Sequence, residues 1–180
     1  MSRRLTLVGY RACGKSTVGR LVAARLGWPF IDADADLELR LGMPISTFFA
    51  TRGESAFRDA ESLALGEILG KSGPLVLSTG GGCVLRAENR GFIRANGGIV
   101  VYLHAPASVL QDRLRRDSGG RPSLSGASVV DEVPRILALR EPLYREIADA
   151  VVAADQSPAA VAAALATIVD NPGQKPLPTT

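Results

Sequence analysis

A chain of 180 residues, 46% of them hydrophobic, is long enough to bury one core and short for two, so a single domain is expected. The net charge of +3 and pI near 9.2 come from basic residues spread along the chain, and only 5% of residues are aromatic, which argues against a nucleic-acid partner and for small anionic ligands. No apolar run approaches the roughly 20 residues that cross a bilayer, and the two cysteines and single histidine lack the spacing of a disulfide framework or a zinc site. The first residues enter a strand almost at once, so a cytoplasmic location without membrane association is the expectation.

The first predicted strand is Leu5-Thr6-Leu7-Val8, and Gly9-Tyr10-Arg11-Ala12-Cys13-Gly14-Lys15-Ser16 follows it directly. This is the pattern of a phosphate-binding loop. Glycine at both ends lets backbone N–H groups turn inward around a polyphosphate, Lys15 reaches its β- and γ-phosphates, and Ser16 is placed to ligand Mg²⁺. Val18, Leu21, Val22 and Leu26 continue at helical spacing to a stop at Gly27, so the loop opens a helix whose N-terminus favours anions.

A second strand is predicted at Pro29-Phe30-Ile31-Asp32. Asp32 and Asp34 stand at its end, where one carboxylate could face a metal and the other a substrate hydroxyl. Alternatively Asp34 or Asp36 caps the helix containing Leu37 and Leu41. Pro44 opens a short helix ending near Ala50, and Gly53 precedes a longer one to Gly70. On the latter, Arg58 and Glu61 share a face, which by itself suggests a solvated ion pair.

The third strand, Leu75-Val76-Leu77-Ser78-Thr79, runs into Gly80-Gly81-Gly82, where a ligand can approach main chain closely. Ile99-Val100-Val101-Tyr102-Leu103 forms a fourth strand, and Pro106 starts a helix reaching about Arg115. An arginine-bearing loop spans 117–126, and a helix with Pro142 inside it spans about 131–149. Ala150-Val151-Val152-Ala153-Ala154 is the fifth strand, and an alanine-rich segment after Pro158 closes the chain before a Pro- and Gly-rich tail, 171–180, expected to be disordered. The strands are apolar without alternation and helices separate them, so a parallel sheet covered on both faces is predicted.

These segments, with Phe57-Arg58 and Glu61, Thr79-Gly80-Gly81-Gly82, Arg121-Pro122 and Arg140-Glu141-Pro142-Leu143-Tyr144-Arg145, occur in the order and approximate spacing of shikimate kinase, which the chain resembles from about Arg3 to Asp170. The resemblance implies an α/β, three-layer P-loop NTPase fold related to the nucleoside-monophosphate kinases. Its five-stranded parallel sheet would have the order 2-3-1-4-5, with a substrate-binding region near 33–62 and a lid near 112–126. It implies a monomeric enzyme that uses ATP and Mg²⁺ to phosphorylate the 3-hydroxyl of shikimate in aromatic amino-acid biosynthesis.

Carried over residue by residue, the resemblance surrounds the nucleotide with Gly9, Ala12, Cys13, Gly14, Lys15, Ser16 and Thr17, and gives the metal to Ser16 and Asp32. Asp34 would receive the hydrogen bond of the attacking hydroxyl. Arg58 and Arg140 would clamp the carboxylate beside the backbone of Gly80, Gly81 and Gly82, with Glu61 orienting Arg58. Arg121 would close on the transferring group, and Arg116 would sandwich adenine against Pro158. Ala12 departs from the glycine of many relatives, and Ser123 from their leucine. The alternatives are another small hydroxy-acid kinase such as a gluconate kinase, or a nucleotide-dependent switch, although no Asn-Lys-x-Asp guanine-reading motif occurs. Cys13 and Cys83 are expected on neighbouring strand ends, making activity sensitive to thiol modification. His104 and Trp28 are expected to be structural.

Overall fold

The computed structural model describes residues 3–116 and 128–171. Five strands, β1 (Arg4–Val8), β2 (Phe30–Asp32), β3 (Leu75–Ser78), β4 (Ile99–His104) and β5 (Ala150–Ala153), form one sheet in the order β2-β3-β1-β4-β5. Every pairing is parallel, with Leu5 opposite Val76 and Ile99 on its two neighbours. Six α-helices lie between them among the described residues, α1 (Lys15–Leu26), α2 (Ala33–Leu41), α3 (Ile45–Gly70), α4 (Ala87–Asn96), α5 (Ala107–Arg116) and α6 (Val133–Ile147), and α7 (Pro158–Asp170) follows β5.

The unbroken apolar runs are explained by burial on both faces. Successive strand residues point to opposite sides. Leu5, Leu7, Val101 and Leu103 pack with residues of α1, α5 and α7, whereas Val8, Val100, Tyr102 and Leu77 pack with residues of α3, Ile93 of α4 and Tyr144 of α6. A smaller cluster of Leu37, Phe57 and Ala64 ties α2 to α3. The sheet therefore gains from side chains on both sides, and its strands can be short without polar partners.

The two helices read from the sequence, one to about Ala50 and one after Gly53, run together as α3, broken at Gly53 with a φ of 79° and a ψ of 173°. Pro142 lies inside α6, which continues past it to Ile147. The helix α4 has no counterpart in the elements read from sequence: only Asn89 and Ile93 are buried along it, too few to impose a period. The cap of α2 also differs. Asp32, rather than Asp34 or Asp36, is its N-cap, with Oδ1 accepting from the N–H groups of Asp34 at 3.1 Å and Ala35 at 3.3 Å. The loops that follow the carboxyl ends of β1, β2 and β3 converge where the connection order around β1 reverses direction, the place where open α/β sheets bind ligands.

Candidate active site

The loop after β1 wraps a cavity of about 540 Å³ lined by residues 11–18, with Arg113, Ala154, Gln156 and Pro158 on its far side. Lys15 is buried, and its ammonium donates to the carbonyls of Gly9 at 2.8 Å and Tyr10 at 2.9 Å while lying 3.7 Å from the Cys13 Sγ. Ala12 holds the loop at a φ of +61°, the one non-glycine among the described residues with positive φ. A Cβ there is unfavourable, so glycine would suit this position better. Thr17 lines the same cavity from the first turn of α1.

Arg113 and not Arg116 stands in this cavity with Pro158. Its Nη1 donates to the carbonyls of Ala12 and Cys13, both at 3.3 Å, and its Nη2 to that of Ala154 at 2.7 Å. Arg116 is exposed at the end of α5 and outside the cavity lining. Three residues along a helix keep roughly the same face but add about 4.5 Å of axial displacement, which carries Arg116 beyond the nucleotide cavity. Arg121, Ser123 and most of the expected lid lie outside the described residues.

The Ser16 hydroxyl donates to Asp32 Oδ2 and lies 3.4 Å from the Ser78 hydroxyl. With its other oxygen engaged in capping α2, Asp32 is aimed at the start of α1. No group of three or more His, Cys, Asp or Glu side chains able to hold a metal exists among the described residues. One hydroxyl and one carboxylate fit a small cation that completes its shell with water and phosphate oxygens, as Mg²⁺ does.

Next to the nucleotide cavity a second one of about 550 Å³ is lined by Asp34, Arg58, Arg140 and the three glycines after β3, with Phe49 and Phe57 as an apolar wall. Arg58 is held from two sides, through Nη1 by Glu61 at 2.7 Å and through Nη2 by Glu54 at 3.3 Å. The first pair is buried, not solvated as its spacing alone suggests: Arg58 and Glu61 are each 7% exposed. Burial pushes the Glu61 carboxyl above the ordinary carboxylate value, opposed by the Arg58 charge. Side chains at the neighbouring glycines would displace the charged groups of this pair. A Cβ on Gly80 would stand 2.6 Å from Asp34 Oδ1, and one on Gly82 would strike the Arg58 guanidinium.

Arg140 Nη1 donates to the Gly81 carbonyl at 3.2 Å, and the Tyr144 hydroxyl donates to the same oxygen. Tyr144 stacks on Tyr102 with centroids 5.1 Å apart, which fixes the ring from behind. Neither composition nor spacing marks Tyr144, Arg113 or Arg11 for the site; folding brings them there. Cys13 and Cys83 are both buried, 1% and 2% exposed. Burial pushes the Cys83 thiol up to about 12, which disfavours its thiolate. His104 lies 3.8 Å from Glu141 and edge-on to Tyr102, and Trp28 packs against the core beside α1.

An anion-binding loop and a neighbouring chamber with two arginines and an aspartate bring two charged reactants side by side on one sheet edge, which defines a P-loop phosphotransferase acting on a small acidic molecule. The sequence profile of shikimate kinase matches residues 11–170. A shikimate kinase from Nitratidesulfovibrio vulgaris is 50% identical over 154 residues, covering 84% of this chain and 87% of that protein. The chain belongs to the shikimate kinase family. Among solved structures, shikimate kinase from Acinetobacter baumannii in complex with shikimate superposes with a TM-score of 0.89 at 35% identity, over 97% of both chains. A gluconokinase from Sinorhizobium meliloti, 24% identical over 93% of this chain and 94% of its own, has a TM-score of 0.62 and shares the fold alone.

Proposed function

We propose that the protein catalyses ATP-dependent phosphorylation of the 3-hydroxyl of shikimate, giving shikimate 3-phosphate and ADP for aromatic amino-acid biosynthesis. The observation that carries this is the acceptor chamber: Arg58, Arg140 and Asp34 line it together, beside the phosphate loop. Two guanidinium groups suit one carboxylate, whose hydroxyl-bearing ring then points toward Asp34.

In the transfer, the bond from the acceptor oxygen to the γ-phosphorus forms as the bond from that phosphorus to the β,γ-bridging oxygen breaks. The hydroxyl proton passes to Asp34, and ADP leaves with the electron pair of the broken bond. Lys15 neutralises phosphate charge and the loop N–H groups hold the β-phosphate, so positioning and electrostatics supply most of the acceleration. Ser16, and Asp32 through water, would hold Mg²⁺, which would supply further neutralisation of the polyphosphate. Arg113 and Pro158 enclose the base, a role the family resemblance gave to Arg116. Arg121 is proposed to meet the transferring group from the lid, which also excludes water.

No helix among the described residues is long and apolar enough to cross a membrane, and the enzyme is proposed to be cytoplasmic and monomeric. The test is a coupled ADP-release assay with ATP, Mg²⁺ and shikimate, quinate or gluconate. Stimulation by shikimate well above the other two is expected. Equal or greater stimulation by gluconate would falsify the assignment.

A further inference from the structure

The nucleotide and acceptor cavities share five lining residues among those described: Arg11, Ser16, Asp32, Asp34 and Gly81. Four of them already have work in the transfer. Lys15 and Arg113 line the nucleotide side only and Arg58 and Arg140 the acceptor side only, so Arg11 is the one cation at the seam among the described residues. Its Nη2 lies 3.2 Å from Glu132 Oε1, with the two side chains 12% and 0% exposed. The guanidinium also lies over the Tyr10 ring, 5.8 Å from its centroid, and Arg140 lies over the same ring at 5.9 Å.

This arrangement is costly unless it is used. A carboxylate with no exposed surface needs a partner, and Glu132 stands at the N-cap of α6, the helix that carries Arg140. Glu132 and Tyr10 thus aim a guanidinium from the phosphate loop at the border between the chambers. A phosphoryl group crossing that border passes the carboxylates of Asp32 and Asp34, which repel it. A planar, permanently charged fork offsets that repulsion and can serve two anions at once.

We propose that Arg11 is a further catalytic residue, contacting the phosphoryl group as it crosses between the cavities and holding the phosphate of the product, with Glu132 as the positioning residue that aims it. The inference rests on the shikimate reading above. Arg11 keeps its proton throughout, and the bonds made and broken are those already given.

The test measures calorimetric dissociation constants for shikimate and for shikimate 3-phosphate, together with kcat. Replacing both partners, Arg11→Met with Glu132→Gln, avoids leaving a buried carboxylate uncompensated. The double variant is expected to keep its shikimate constant within about twofold while product binding and kcat each fall by about 10- to 100-fold, the loss of a charged hydrogen bond. Arg11→Lys keeps the ion pair and the fold but loses the planar fork, and is expected to lose about 3- to 10-fold in product binding. Glu132→Gln with Arg11 retained is expected to fall between these variants and wild type in kcat. Unchanged product affinity in both Arg11 variants, or parallel weakening of shikimate and its phosphate, overturns the inference alone. Wild-type protein that fails to bind or phosphorylate shikimate overturns the functional reading, and this proposal with it.

Discussion

Glu61 is the nearer and more buried of the two carboxylates that hold Arg58 at the acceptor chamber. Desolvation raises this carboxyl's pKa in the folded protein, so as pH falls the folded protein takes up the proton before an ordinary carboxylate would. The neutral acid no longer holds Arg58 as a charged partner. The KM for shikimate is therefore expected to rise on acidification at a pH above the usual carboxylate range, and Glu61→Gln should abolish that limb while raising KM at neutral pH. For stability the sign is that of a raised folded-state pKa: protonation of this group favours folding below its unfolded value, and the contribution is lost as pH rises through the folded one. Asp34→Asn tests proton acceptance directly: kcat should drop about 10²- to 10⁴-fold with the KM for ATP little changed. Ala12→Gly relieves the φ of +61°; against the extra chain entropy of glycine, a net gain of about 0.5–1 kcal/mol is expected in thermal unfolding. The charge and identity of these residues are legible in the chain. That Arg58–Glu61 is buried is not, because i,i+3 spacing is the same on a solvated face and on one packed against Gly80 and Gly82.

Among the elements, α3 shows how a backbone break shapes the site. Its first segment carries Ile45 and Phe49 to the acceptor wall and its second carries Arg58 and Glu61, so the angle at Gly53 sets the chamber's width. A Cβ on Gly53 meets nothing within 4 Å, yet its φ and ψ lie in a region nearly closed to other residues. Gly53→Ala is expected to cost roughly 1–3 kcal/mol in denaturant unfolding and to raise the KM for shikimate more than that for ATP. The break itself was legible, since Pro44 and Gly53 punctuate the run. Which arginine of α5 faces Pro158 was not: Arg113, Arg115 and Arg116 are equivalent as letters, and the docking of α5 against the phosphate loop selects Arg113. Asp32 as cap of α2 belongs to the same class, for it depends on where β2 stops.

For the whole molecule, the sheet is the frame that keeps both chambers in register. Leu103 is fully buried in β4 against the α1 and α7 side, and Leu103→Ala is expected to destabilise by about 2–5 kcal/mol, read as a lower urea midpoint with unchanged slope. Ligand should recover part of that loss, by about 2.7 kcal/mol when present at a hundred times its dissociation constant. All five strands, their parallel pairing and the phosphate loop follow from the chain alone, because apolar runs between helices and glycine-bounded motifs are local signals, whereas the acceptor role of Arg58 and Arg140 came only through the family resemblance. Only the tertiary structure decided that Arg58 and Glu61 are desolvated, that Arg113 faces the nucleotide cavity, that the cysteines are sealed, and that Arg11 stands between the cavities against Glu132. Those facts depend on pairs of residues up to 121 positions apart in the sequence, and no local period or composition encodes which distant side chain a folded backbone will bring to face another.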